Sequence, residues 1–479
     1  MAMVEQAVMP PAKVHAGGLT PRQVRDLPEP PRELWRIVGP GIVAAGIGLS
    51  SGEFILWPYI ASQVGLVLLW GAVVGVVTQF FINMEVERYT LATAETALTG
   101  FNRFWKHWGL VFAIMVYFAN LWPGWALSSA TLATYLFGGS APVIGIIELI
   151  VIGLALTLAP VIYIAVERLI FVKVGAVVVL AVLAIVFAVE PDSWRALPGG
   201  LAHFGQIPGG LSIALLFGAV AFAGAGGGQN LCQSNYIRDK GFGMGKYVPR
   251  LVSPITGAEV AAPIVVTYIF ETNPANMARW RRWWNFANVE QFMSFVIVTV
   301  VTICLTSMLA HSTLFGQPNL PNSVAFLQIE AQHLNAAVGR WFGVLFLAVG
   351  AFSLFGSAMG IIDYTSRLAA DIIKTTYMPT SSTSESRLYA WLVWGMVALG
   401  CSIVGLRLVQ PLVLLIISAT VGGTMMFLYS ILLIMLNRKY LPDPLKIGSY
   451  RLVALIWAVL LFGTLALLTI REQIRLVMS

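Results

Sequence analysis

Two short runs in this 479-residue chain place ligand-holding groups among residues that interrupt a helix. The first is Gly46-Ile47-Gly48-Leu49-Ser50-Ser51-Gly52-Glu53, the second Gly224-Ala225-Gly226-Gly227-Gly228-Gln229-Asn230. Glu53 offers a carboxylate, Ser50 a hydroxyl, Gln229 and Asn230 amide oxygens and donors, and Gly227 backbone that no side chain covers. That set suits a hard cation with its water shell, or a polar organic group. Each Gly costs about 0.8–1.0 kcal/mol relative to Ala inside a helix, so both runs predict a broken helix. Glu53 follows its break and can sit at the N-terminus of the second half-helix, where the dipole favours negative charge.

Other charged groups suggest gating or coupling. Asp363, Arg367 and Asp371 recur at i, i+4 and i+8, one ladder on one helix face. It reads as a gating ion-pair network in which Asp363 also has the chemistry to carry a coupling proton or ion. Glu85, Glu87 and Arg88 close another apolar segment, and Glu85 and Arg88 are expected to pair near an inner gate. The histidines, His15, His107, His203, His311 and His333, fall in the tail, loops or segment ends. That argues against a histidine proton relay or a His-rich transition-metal site.

The elements that must position these groups are apolar. The chain is 58% hydrophobic and 11% charged, against about 45–50% and about 25% for a soluble domain. About 20 apolar residues cross a bilayer, and eleven stretches qualify: 37–65, 67–89, 108–137, 141–163, 168–189, 211–237, 290–313, 340–374, 387–407, 410–436 and 451–470. With a cytoplasmic N-terminus, 24 of the 29 Lys and Arg residues fall inside and 5 outside, as the positive-inside bias requires. The C-terminus is then external, and the plasma (inner) membrane is the expected location. The apolar piece from Ile255 to Phe270 contains Glu259 and Pro263. It reads as an interfacial or re-entrant part of a cytoplasmic loop over about 239–289, ending in Trp280-Arg281-Arg282-Trp283-Trp284.

Broken segments 1 and 6, five apart, are the pattern of two inverted five-helix repeats with a binding site between them. The expected fold is therefore an all-α polytopic membrane protein of eleven transmembrane helices. Residues 1–36 form a Pro-rich flexible cytoplasmic tail, 37–189 the first repeat, 190–436 the second, and 437–479 the last span with a short external C-terminus. Saturable secondary transport by alternating access is expected rather than a continuous pore. No HExxH motif or nucleophile with a base points to an enzyme. No cofactor and no nucleic-acid partner is called for; the expected partners are the lipid bilayer, a transported cation or small solute, and H⁺ or Na⁺ as coupling ion.

Gly39-Pro40-Gly41 followed by Ser50-Ser51-Gly52-Glu53-Phe54 resembles the first-helix pattern of the Nramp divalent-metal transporters, in which a GPG start precedes a DPGN break. Gly227-Gly228-Gln229-Asn230-Leu231 is similar to their MPHN-L motif. The resemblance covers nearly the whole chain and implies the LeuT-type fold of the amino acid/polyamine/organocation superfamily. It also implies metal ligands at the break positions, where this chain has Ser50, Glu53 and Gly227 in place of Asp, Asn and Met, and Gln229 in place of His. Loss of the thioether and of the Asp removes a soft and an anionic ligand. The reading favoured at this level is a divalent cation held by Glu53, Ser50 and Asn230, with Mg²⁺ ahead of Mn²⁺ or Fe²⁺ because the remaining donors are oxygens. The alternative is a small polar organic solute on the same scaffold.

Overall fold

A computed structural model of the chain describes residues 22–31, 39–257, 267–406 and 411–478. Ten helices among the described residues are long and apolar enough to cross a membrane: Pro40–Val64, Leu69–Thr93, Trp108–Phe137, Ala141–Leu158, Ile162–Phe187, Pro274–Leu314, Arg340–Tyr377, Glu385–Gly405, Pro411–Lys439 and Ser449–Glu472. We number them spans 1–5 and 7–11. The segment expected as span 6 is two short helices, Ile213–Ala221 and Gly228–Lys240, neither long enough to cross alone. Span 1 is likewise broken. Helix Pro40–Gly48 ends at Leu49 and Ser50, a wide π-helical turn runs over Ser51–Leu56, and regular helix resumes over Trp57–Val64.

Burial separates a centre from a rim. The apolar window of span 1 is 94% buried and that of span 8 is 72%, against 33% for spans 4 and 11. The rim carries exposed Phe118, Ile147, Phe171, Val186, Val453 and Leu467, a surface that lipid accepts and water does not. The protein is an integral multi-pass membrane protein.

Several boundaries differ from the sequence reading. Span 7 begins at Pro274, so the Trp280–Trp284 cluster lies on helix continuous with the span rather than at the end of a loop. Asn273 caps this helix by accepting from the Asn276 amide at 2.9 Å. Span 3 is interrupted at Leu121–Pro123, because Pro123 has no N–H to donate to the helix. The stretch around Glu259 and Pro263 lies outside the described residues.

The expected flexible tail is in part ordered. Arg22–Val24 pairs in parallel with Thr267–Ile269, Leu27 is buried, and the Trp283 indole donates to the Pro28 carbonyl at 2.7 Å. Apolar and hydrogen-bonding surface on the helix Pro274–Gln291 holds this strap. Proline content and charge in the tail do not reveal that surface.

Candidate functional site

The two breaks meet. A Cβ on Gly48 would collide with the Gly224 carbonyl, and one on Gly52 with the Phe222 carbonyl. The glycines therefore let two backbones touch where their helices stop. Gly224 and Gly227 hold φ of +107° and +52°, conformations that side-chain-bearing residues rarely adopt. A Cβ on Gly227 would also lie 2.7 Å from Gly422 of span 10.

Around this contact, span 8 supplies the clamp. Ser353 donates to the Leu49 carbonyl and Ser357 to the Ile47 carbonyl, both at 2.5 Å, which satisfies backbone groups freed by the break. The Glu53 carbonyl accepts from Thr306 of span 7 at 2.6 Å. Ser50 is turned back on its own helix, donating to the Ile47 carbonyl at 3.4 Å.

The Glu53 carboxylate is 1% exposed. Among the described residues neither of its oxygens has a hydrogen-bond partner, although the Ser50 and Gly224 amides lie close enough to act on its charge. A buried cation, Lys173 of span 5, reaches the same break and is 0% exposed. The Lys173 ammonium donates to Ser357, the hydroxyl that donates to the Ile47 carbonyl, and its stem lies over Gly356. Lys173 was expected among the cytoplasmic basic residues; it is instead buried in the helix Ile162–Phe187. An ammonium in a membrane interior persists only when paired, and the signal for it was a second basic residue following Arg168 inside an otherwise apolar stretch.

The other expected ligands are spent elsewhere. The Asn230 amide donates to Asn83 of span 2 at 2.7 Å, and its oxygen accepts from Tyr429 of span 10 at 3.0 Å. Tyr429 also donates to the Gly227 carbonyl at 3.1 Å. Gln229 donates to the Ala44 carbonyl and so ties the second break to the first. Ser50 and Glu53 thus lie where the first break meets Phe222 and Gly224, Gln229 joins the second half-helix to Ala44, and Gly227 shares Tyr429 of span 10 with Asn230. Asn230, expected beside Glu53 around an ion, faces spans 2 and 10 instead. Among the described residues no group of three or more His, Cys, Asp or Glu side chains is placed to hold a metal.

Of the three span 8 residues, Asp363 and Arg367 pair with each other, while Asp371 pairs with other elements. Asp363 accepts from Arg367 at 2.9 Å, Tyr389 at 2.7 Å and Tyr236 at 2.9 Å. Arg367 also pairs with Asp239, and Asp371 with Arg238 at 2.8 Å and Thr96 at 2.6 Å. Glu85 and Arg88 pair at 2.7 Å, and the Arg88 guanidinium lies 4.0 Å from the Trp284 ring centroid. Both networks cross-link spans at the end of the molecule where the sequence reading places the cytoplasm.

By sequence, no family model matches the chain and no curated protein matches it. By structure it is similar to the manganese transporter of Eremococcus coleocola. Crystal structures of two variants of that protein, one with a histidine replaced by alanine and one with a glutamate replaced by glutamine, give TM-scores of 0.67 and 0.69. Identity is 14% and 13%, over 95% of this chain and 90% of theirs. MhsT in complex with L-phenylalanine gives 0.52 at 13% identity, over 89% of this chain and 98% of that one. The chain thus has the LeuT-type transporter fold that its Nramp-like motifs imply, and these structural neighbours are transporters, not enzymes.

Proposed function

We propose that the protein is a secondary active transporter working by alternating access, whose substrate is a small polar organic solute rather than a divalent metal. The observation that carries this reading is the buried Lys173, whose ammonium donates to Ser357, the hydroxyl that in turn donates to the Ile47 carbonyl at the first break. Among the described residues Glu53 belongs to no cluster of three or more acidic, His or Cys side chains, and a buried cation at the same break opposes a dication, which needs several anionic or oxygen ligands. Asn230 is engaged, and Gly227 contributes no side chain.

The same features suit a solute with both a donor and an anionic group. The unpaired oxygens of Glu53 accept from an ammonium or amide. Lys173 and the N-terminus of the half-helix Gly228–Lys240 favour a carboxylate. A small amino-acid-like zwitterion fits this pattern, and MhsT, of similar fold, was solved with L-phenylalanine. The half-helices Ile213–Ala221 and Gly228–Lys240 together make the eleventh crossing in this reading. The N-terminus is cytoplasmic, the C-terminus external, and the two inverted repeats correspond to 37–189 and 190–436.

Uptake by reconstituted protein tests the proposal. Proteoliposomes are offered Mn²⁺, Mg²⁺ and a panel of zwitterionic, cationic and anionic solutes in parallel, with Glu53→Gln as control. Saturable accumulation of an organic solute, lost in Glu53→Gln, is the expected result. Saturable accumulation of a divalent ion, lost in the same variant, would overturn it.

A further inference from the structure

The second break is tied to span 2 by a buried side chain that none of the contacts above involves. The amide nitrogen of Gln79 donates to the carbonyls of Ala223 at 2.9 Å and Ala221 at 3.1 Å, and lies 3.4 Å from that of Val220. Its oxygen accepts from the Gly226 amide at 2.8 Å. Both ends of one side-chain amide are thus spent on the backbone between the two half-helices.

The backbone there needs such a partner. Where the helix Ile213–Ala221 stops, its last carbonyls and the amides beyond it lose their partners one turn away, and a membrane interior offers no bulk water in exchange. Within the loop Gly224 donates to the Phe222 carbonyl at 2.9 Å, and Gln229 to the Gly226 carbonyl at 3.2 Å. Among the described residues no backbone group pairs with the Ala221 carbonyl, the Ala223 carbonyl or the Gly226 amide, and these are the groups that Gln79 takes. Gly75, one turn before Gln79, makes the reach possible. A Cβ on it would lie 2.8 Å from the Val220 carbonyl and 2.9 Å from the Ala223 side chain, so span 2 runs close against the loop.

The loop is also one that does not order itself. Gly224, Gly226 and Gly227 all hold positive φ, at +107°, +69° and +52°, and glycine gives up more backbone freedom on ordering than any other residue. At the first break the tethers are three hydroxyls, of Ser353, Ser357 and Thr306. At the second, Tyr429 holds the Gly227 carbonyl, and Gln79 holds what precedes it.

We propose that Gln79 is a positioning residue of the binding site. It fixes the span 6 loop in the conformation that sets Gly224 against Gly48 and starts the half-helix Gly228–Lys240 where Gln229 reaches Ala44, so that substrate meets a preformed site. With its own amide fully engaged, Gln79 acts through the loop and not by touching the solute. Its service to binding rests on the transporter reading; its hold on the loop does not.

Hydrogen exchange of the full-length protein in detergent tests the hold without any solute. Gln79→Met keeps the bulk and removes both hydrogen-bonding ends. Exchange of the amides from Gly224 to Gly228 should then quicken on the order of tenfold or more over the wild type, while unchanged exchange in span 4 reports that the variant is folded. In Gln79→Glu a protonated carboxyl keeps one donor and the acceptor, whereas an ionised one keeps only acceptors. Its loop, measured against the wild type at the same pH, should therefore be better protected at about pH 5 than at about pH 8. Unchanged exchange in folded Gln79→Met would overturn the proposal, as would a Gln79→Glu loop no better protected at about pH 5 than that of Gln79→Met. Proteoliposome uptake then separates positioning from bulk stability. For whichever of Mn²⁺, Mg²⁺ and the zwitterionic solutes the wild type accumulates, Gln79→Met should raise KM on the order of tenfold and leave the maximal rate per folded protein unchanged. A lower maximal rate at the wild-type KM would overturn the positioning role. If the wild type accumulates none of them, it is the transporter reading that fails, and the exchange result alone decides whether Gln79 holds the break.

Discussion

A lysine wholly buried in a membrane helix is tolerated only beside groups that compensate its charge. Lys173 has Ser357 as its hydrogen-bond partner, and the carboxylate of Glu53 is the charge that acts on it. Removing either charge leaves the other buried without it. Lys173→Met and Glu53→Gln should therefore each lower the stability of the detergent-purified protein, and the double variant should recover most of the loss. Additive losses in the double variant would show that the two charges do not depend on each other. Glu53 was legible in the sequence because a carboxylate in an apolar run is conspicuous. Lys173 was not, because a basic residue shortly after Arg168 reads as a marker of the cytoplasmic side, and only the packing of span 5 against span 8 shows otherwise.

Outside the spans, Glu95 makes a second test at this scale. Burial alone would raise its pKa, but the Arg103 hydrogen bond and the charges of Arg22 and Arg103 outweigh that and hold it down at about 2. A carboxylate with a depressed folded-state value contributes stability in full above its ordinary value of 4.5 and loses it as pH falls toward about 2. Thermal unfolding followed across that window should show a steeper acid loss for the wild type than for Glu95→Gln. Equal slopes would contradict the assignment.

At the scale of elements, both helix breaks were legible from glycine content, but what each break packs against was not. Gly48 and Gly52 face the Gly224 and Phe222 carbonyls, so an added methyl has to push one half-helix off the other. Gly48→Ala and Gly52→Ala should each destabilise by about 1–3 kcal/mol and abolish uptake. Gly175→Ala, with open space at its Cβ position, should be silent in both assays. If all three behave alike, close approach of the breaks is not what these glycines provide. The start of span 7 and the ordered strap over 22–31 escaped the sequence reading for a common reason. Amphipathic or polar segments declare their structure through a partner surface, and hydropathy does not display that surface.

For the whole molecule, the apolar stretches carried most of the architecture, because a bilayer restricts a chain to few solutions. The resemblance to metal transporters held for the fold, since backbone topology survives substitutions that change the charge of a cavity. Counting the pair Ile213–Ala221 and Gly228–Lys240 as a crossing, as proposed, adds an eleventh to the ten long helices and puts the two ends on opposite faces. Single cysteines at Glu29 and Arg471, in a protein whose native cysteines are replaced, should therefore react with impermeant reagents from opposite sides of oriented vesicles. Labelling from one side only would mean that the pair Ile213–Ala221 and Gly228–Lys240 does not cross.

Lys173, held by Ser357 at the first break, puts a buried cation where a dication would have to bind. Equilibrium binding to the purified wild type and Lys173→Met, with Mn²⁺, Mg²⁺ and the zwitterionic solutes titrated in turn, separates the two kinds of substrate. The expected result is no saturable divalent binding by the wild type, saturable binding of a zwitterion, and weakening of the latter in Lys173→Met. Saturable Mn²⁺ or Mg²⁺ binding by the wild type, unchanged when Lys173 is replaced, would contradict it.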